Sequence, residues 1–105
     1  MIYFNHFKVL YIANLNFMPS ILSKVQEILS HQFSLNETSI LPETKLDLEL
    51  GADSRDVLEL MANFEVIFDI EIAYEDVNDI ITVQNIIDYI ENKQKARDEL
   101  FKNLF

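Results

Sequence analysis

Apolar residues recur at spacings of three and four along residues 57–68, and this pattern constrains the fold more than any other feature of the sequence. A stripe of this kind lies on one face of an α-helix and must be covered by another element. The chain has a single glycine, Gly51, and only two prolines, which argues against a turn-rich β fold. The sequence therefore predicts one all-α domain, a small bundle of three main helices plus one short helix.

The first predicted helix is followed by a long loop. Pro19 and Ser20 are suitable residues for a helix start, and the periodic pattern ends near Gln32 or Phe33. Residues 34–50 then form the connection between helices one and two. A loop of this length is unusual unless it packs on the core or serves a function, and it has room for a short helical turn.

The second helix follows the turn at Gly51, with Asp53 as its N-cap and Asp56 three residues later in a weak form of the capping box. Residues 69–73 are predicted to be an extended link, and residues 74–79 the short helix. Thr82 caps the last helix, which either continues to Leu104 or frays. The expected core residues are Val25, Ile28, Leu46, Leu58, Met61, Ala62, Phe64, Phe68, Ile72, Ile86 and Ile90.

The charge balance limits the classes of ligand. The net charge is −10, with 18 acidic against 8 basic residues, and the acidic excess disfavours nucleic acid and anionic membranes as partners. It favours basic protein surfaces, although solubility alone accounts for many acidic domains. There is no cysteine, and His6 and His31 lie far apart, so no metal site or nucleophile-base pair is predicted.

Residues 1–17 differ sharply from the rest of the chain, because every acidic residue follows Met18. The segment is too short and too polar for a membrane span, and it has no clear signal-peptide cleavage site. Two interpretations stay open. Met18 is the true initiator, which we favour, or residues 1–17 are a genuine extension that packs on the domain or binds a partner.

Ser54 lies at or beside the start of the second helix, where unpaired amides and the positive end of the helix dipole favour a phosphate group. Gly51 gives the preceding turn its backbone freedom. On these residues alone, a simple capping serine is the more frequent explanation.

The stretch Glu49-Leu50-Gly51-Ala52-Asp53-Ser54-Arg55-Asp56, followed by Glu59-Leu60, resembles the attachment motif of acyl carrier proteins, Asp-Leu-Gly-Ala-Asp-Ser-Leu-Asp and then Glu-Leu. Residues 68–72, 81–83 and 87–90 also look like family segments. The resemblance covers about residues 21–90. It implies an acyl carrier domain over 18–95, with a C-terminal helical tail over 96–105.

The resemblance implies that Ser54 accepts 4′-phosphopantetheine from coenzyme A through a phosphopantetheinyl transferase, with Gly51 and Asp53 shaping the site. The thiol of the arm then holds acyl groups as thioesters, so the chain itself needs no catalytic residue. The implied pathway is fatty acid biosynthesis, with the synthase enzymes and acyltransferases as basic partners. Asp53, Asp56 and Glu59 are the implied docking acids. The expected protein is a cytoplasmic monomer.

Arg55 departs from the family pattern, which has leucine after the serine. It either pairs with the phosphodiester or disturbs an apolar contact with partners. A specialised carrier for polyketide or other lipid acyl transfer therefore stays open, as does a helical interaction module without a prosthetic group.

Overall fold

Three α-helices and two short 3₁₀ helices make up the computed structural model, which describes residues 20–104. The α-helices are α1 (Ile21–Phe33), α2 (Ser54–Phe68) and α3 (Val83–Leu104). The 3₁₀ helices are Glu37–Ser39, inside the long loop, and Tyr74–Asp79. The all-α prediction is confirmed, including the loop between the first two main helices. The expectations for residues 1–17, Met18 and Pro19 lie outside the described residues.

Side chains fix the start of α1 and α3 as the sequence indicated. The hydroxyl of Ser20 accepts the backbone N–H of Ser23 at 3.1 Å. The hydroxyl of Thr82 accepts the N–H of Asn85 at 3.1 Å, and the Asn85 amide oxygen accepts the Thr82 N–H at 2.9 Å. Each bond satisfies an amide that has no partner within its own helix.

Helix α3 runs for 22 residues without a break across residue 95. Arg97 joins its second half to the end of α2, because the guanidinium donates to the carbonyls of Phe68 at 3.1 Å and Asp69 at 2.8 Å. Asp69 has a left-handed backbone conformation, with φ 52°, and ends α2. Arg97 thus places the middle of α3 beside the C-terminal end of α2.

The long loop is fastened to the start of α3 by backbone hydrogen bonds. Leu46 N–H donates to Ile81 at 3.0 Å, and Val83 N–H donates to Thr44 at 3.0 Å, on either side of an isolated bridge between Lys45 and Thr82. These bonds hold residues 44–46 of the loop against residues 81–83 at the start of α3.

The core confirms most of the predicted residues and corrects two of them. Leu58 and Ala62 are exposed, whereas Leu60 is fully buried, so the buried face of α2 is centred on Leu60 and Phe64. Other buried side chains that periodicity did not indicate are Ile40 and Ile80, both from segments between the α-helices. Segments between helices thus supply part of the hydrophobic core.

Candidate functional site

The start of α2 is held by a complete capping box. The Asp53 carboxylate accepts the Asp56 N–H at 2.9 Å, and the Asp56 carboxylate accepts the Asp53 N–H at 3.1 Å. The prediction of a weak box is therefore confirmed in its stronger, reciprocal form. Two carboxylates at this end also suit the positive end of the helix dipole.

Ser54 is the first residue of α2, and its side chain is exposed. Within residues 20–104 its hydroxyl has no hydrogen-bond partner, because Asp53 and Asp56 already provide the cap. The capping interpretation of Ser54 is thus unnecessary. An exposed hydroxyl at a helix start is open to modification, and an anion on it is stabilised by the neighbouring amides.

Gly51 sets the turn that presents Ser54. Its φ is 71°, in the left-handed region that side chains other than glycine rarely adopt. Its N–H donates to Asp47 at 3.1 Å, and the next N–H, of Ala52, donates to Leu46 at 3.0 Å. The space where a Cβ would stand is open within 4 Å. The positive φ, and not a lack of space, therefore favours glycine here.

Beside Ser54 lies a pocket of about 260 Å³. One wall comes from α2, where Val57 and Leu58 stand three and four positions after Ser54 and so share its face. The other walls are Leu46 and Asp47 from the long loop and Tyr74, Val77, Asn78, Ile80 and Ile81 from the second 3₁₀ helix and its end. Leu58 is 45% exposed and Ile81 51%, so apolar surface is open to solvent within reach of Ser54. We call this the Ser54 pocket.

The sequence did not single out the Ser54 pocket, although one signal was present. Residues three and four positions after the first residue of a helix lie on the same face as that residue, and here both are aliphatic. The 3₁₀ and loop residues of the pocket come from distant segments, and no spacing rule joins them.

The predicted docking residues are not all brought together. Asp56 and Glu59 line a separate groove between α1 and α2, on a different face from the Ser54 pocket. Arg55 is exposed and lines neither of them, and it forms no ion pair within the described part of the chain. At the end of α1, Gln32 donates to the Asp56 carbonyl at 3.0 Å, a tie the sequence did not reveal. The groove therefore shares α2 with Ser54 but faces elsewhere.

Tyr89 of α3 holds the short helix that walls the Ser54 pocket. Its hydroxyl donates to the Asp76 carboxylate at 2.7 Å and accepts the Ala73 N–H at 3.3 Å. Burial and the hydrogen bond to the Asp76 carboxylate raise the pKa of Tyr89 above its usual value. The Lys93 ammonium lies 5.4 Å from the centre of the Tyr89 ring.

Comparison with known proteins agrees with this arrangement. Residues 23–90 match the family model described as the phosphopantetheine attachment site. Among solved structures, the acyl carrier protein of Enterococcus faecalis is 33% identical, with a TM-score of 0.62. The match covers 69% of this chain and 91% of that chain.

The fold and these matches define a non-catalytic carrier domain, a class that works through a covalent 4′-phosphopantetheine arm. The chain belongs to the acyl carrier protein family. Membership implies a phosphopantetheinyl transferase and acyl-handling enzymes as partners.

The described residues fit the phosphopantetheine group. Ser54 supplies an exposed hydroxyl without a hydrogen-bond partner in the described part of the chain, and the amides at the start of α2 would stabilise an anion on it. Over residues 20–104 no helix is both long and apolar enough to cross a bilayer.

Proposed function

We propose that Ser54 carries 4′-phosphopantetheine and that the chain carries fatty acyl intermediates in fatty acid biosynthesis. The observation that supports this proposal most directly is the apolar Ser54 pocket, which opens beside the serine of the family motif. An acyl chain that folds back from the arm finds Leu46, Val57 and Leu58 within that pocket.

Apolar surface at the pocket favours a fatty acyl cargo over an aminoacyl one. Each methylene that leaves water contributes roughly 0.8 kcal/mol, whereas a charged amino group would lose its hydration without a partner. Asp47 is the one acidic residue among the pocket residues, and its carboxylate already accepts the Leu48 N–H at 2.7 Å.

The phosphopantetheine arm supplies a thiol, which this chain lacks, and thereby a thioester that activates the acyl carbonyl. The protein itself positions the arm. Gly51 shapes the turn, the Asp53–Asp56 box keeps the first turn of α2 intact, and the amide end of α2 stabilises the phosphodiester charge.

The attachment site is tested by intact mass after incubation with coenzyme A and a broad-specificity phosphopantetheinyl transferase. We expect the parent chain and a Ser23→Ala control to gain one phosphopantetheine, and Ser54→Ala to gain none. Ser23 is an exposed helix-start serine that keeps its structural role through its backbone N–H, so it matches Ser54 without sharing its position. A gain on Ser54→Ala would contradict the assignment.

The acyl cargo is tested by melting the loaded carrier with saturated chains of increasing length. The pocket predicts a melting temperature that rises with chain length until the pocket is filled. Equal melting temperatures throughout the series, or a greater rise with aminoacyl groups, would contradict a fatty acyl cargo.

Asp56 and Glu59 are proposed to dock basic partners through α2. Glu59 is exposed, and within the described residues it has no ion-pair partner, so its charge is available to an approaching enzyme. Glu59→Lys should slow association with the transferase, with an effect that shrinks as salt rises, because charges at the edge of an interface act mainly on the association rate. Glu91→Lys on α3 makes the same charge change at an exposed site elsewhere. Equal rates for the two variants at low salt would contradict docking through Glu59.

A specialised carrier is the second candidate, and Arg55 is the observation that favours it. Its exposed guanidinium directly follows Ser54 and has no ion-pair partner in the described residues, so it is available to a phosphodiester or an unusual partner. If a transferase that accepts ordinary carriers loads Arg55→Leu but rejects the parent chain, the result supports a specialised carrier. Equal loading of both chains favours the fatty acid carrier.

A further inference from the structure

The Ser54 pocket is polar at its mouth and apolar at its floor. Asp47, Tyr74 and Asn78 line it as exposed side chains, whereas Leu46 is 2% exposed and Ile80 8%. Every lining residue that is buried or half-buried is aliphatic. A polar group at the floor would lose its hydration without a side-chain hydrogen-bond partner, so the floor suits an alkyl chain end.

The volume of the Ser54 pocket limits the length of that chain. The pocket measures about 260 Å³. An apolar cavity of about 150 Å³ is large enough for benzene, with its six carbon atoms, so the Ser54 pocket has room for about ten. A fatty acyl chain of about ten carbons therefore fills it.

Met61 stands where α2 continues beyond the pocket. Val57 and Leu58 form the α2 wall, and Met61 follows them by four and three positions on the same face of the helix. Met61 itself is buried, at 4% exposed, and belongs to the same core cluster as Ile80 of the floor. A chain that enters beside Ser54 and follows α2 therefore meets Met61 after about 10 Å of helix.

The core behind Met61 opposes a shift of its side chain. Phe64 and Phe68 come next on the same side of α2, and their ring centroids lie 6.1 Å apart. Phe64 is fully buried. A methionine adapts readily where there is space, but pushing it into close-packed side chains overpacks the core, which offsets the gain from burying another methylene. The further carbons of a longer chain therefore stay at the mouth or in solvent.

We infer that the Ser54 pocket accepts straight acyl chains of up to about ten carbon atoms with an unsubstituted alkyl end, and that Met61 sets this limit. The inference deepens the proposed fatty acyl cargo and rests on it. Met61 acts by its shape, since it has no part in attaching the arm. Chains of medium length are thus held inside the carrier, while longer chains present their ends to solvent or to a partner enzyme.

The limit is tested by thermal unfolding of the full chain, loaded on Ser54 by a broad-specificity transferase with saturated acyl-coenzyme A of four to sixteen carbons. We expect the melting temperature, relative to the phosphopantetheine form without an acyl group, to rise up to about ten carbons and then to level off. A rise that continues to sixteen carbons would overturn the inference but leave the acyl cargo intact. No rise at any length would overturn both.

Two neighbouring residues of α2 test whether Met61 sets the limit. Met61→Ala removes about three heavy atoms beside the pocket and should move the plateau about three carbons further. Leu60→Ala removes as many from a side chain that is also buried, but Leu60 lies about 100° around the helix from Met61, so the plateau should stay where it is. A plateau unchanged in Met61→Ala, or moved equally by both substitutions, would show that Met61 does not end the pocket.

Val57→Phe gives an independent result if Met61→Ala does not fold. Val57 is half-buried in the pocket wall, and the ring adds about four carbon atoms there. The plateau should therefore move down to about six carbons. An unchanged plateau would refute the size limit.

The alkyl end is tested with an eight-carbon chain that carries a terminal carboxylate. Its carrier should melt like the form without an acyl group, because the carboxylate finds no partner at the floor. A rise equal to that of the plain eight-carbon chain would refute the requirement for an unsubstituted end.

Discussion

Replacing Asp53 separates its role in the fold from its role as a charge. Its carboxylate accepts the Asp56 N–H at 2.9 Å and lies at the positive end of α2. Loss of an N-cap costs about 1 kcal/mol, and loss of a charge at a helix start costs about 0.3–1 kcal/mol. Asp53→Ala loses both contributions, about 1.5 kcal/mol together. Asp53→Asn keeps a capping oxygen and loses only the smaller one.

The two variants therefore differ in thermal stability. For a domain of this size each kcal/mol shifts the melting temperature by about 4–8 °C. Asp53→Ala should melt about 6–12 °C below the parent chain, and Asp53→Asn only a few degrees below it. Circular dichroism at low ionic strength measures both. Equal melting temperatures for the two variants would refute the capping role and leave only the charge. A parent-like melting temperature for Asp53→Ala would refute both contributions.

Two further predictions concern the contacts that tie α3 to the rest of the fold. Arg97→Ala removes both donations to the carbonyls at the end of α2 and should cost about 1–2 kcal/mol, with faster amide exchange in residues 98–104, whereas Arg97→Lys keeps the charge and should lose less. If amide exchange is unchanged in Arg97→Ala, Arg97 does not hold the end of α3 against α2. Tyr89→Phe loses the bond to Asp76 and the acceptor for Ala73, and thermal unfolding should show a cost of about 1–2 kcal/mol at neutral pH. Because the folded pKa of Tyr89 is raised, the parent's stability is fully present below pH 10 and falls as pH rises through the folded value, and Tyr89→Phe should lack that part of the fall. If the stabilities of the parent and Tyr89→Phe fall in parallel as pH rises, the raised pKa of Tyr89 does not contribute to the loss of stability.

Local sequence rules predicted the helix ends well, because each depends on neighbouring residues. Ser20, Asp53 and Thr82 all cap the helices they were expected to cap. The 3₁₀ helix at Tyr74–Asp79 was expected as a short helix, although its tighter form was not. Capping interactions span three or four residues, so the local sequence alone is enough to predict where a helix begins.

Burial was harder to predict where a helix is apolar over a wide arc. In α2, apolar residues occupy more than half the circumference, so spacing alone did not choose between Leu58 and Leu60. The core as a whole makes that choice, because Leu60 and Phe64 lie in one cluster with buried residues of α1, the long loop and α3. Ile40 and Ile80 were missed because they stand outside any periodic pattern. The motif likewise located Ser54 but not the pocket beside it, because the pocket residues come from segments that are distant in the sequence.

The bridge between Lys45 and Thr82 has a consequence for how the protein is made. The whole of α2 lies between these two residues, so the bridge closes a long stretch of chain, which is a slow and entropically costly step. In the turn at Gly51, the N–H groups of Gly51 and Ala52 donate to the carbonyls of Asp47 and Leu46. The bridge holds those two loop residues in place. On the ribosome, the serine is therefore displayed in its final geometry only after residues 81–83 have emerged. An enzyme that reads this geometry would leave chains that have not yet reached Thr82 unmodified.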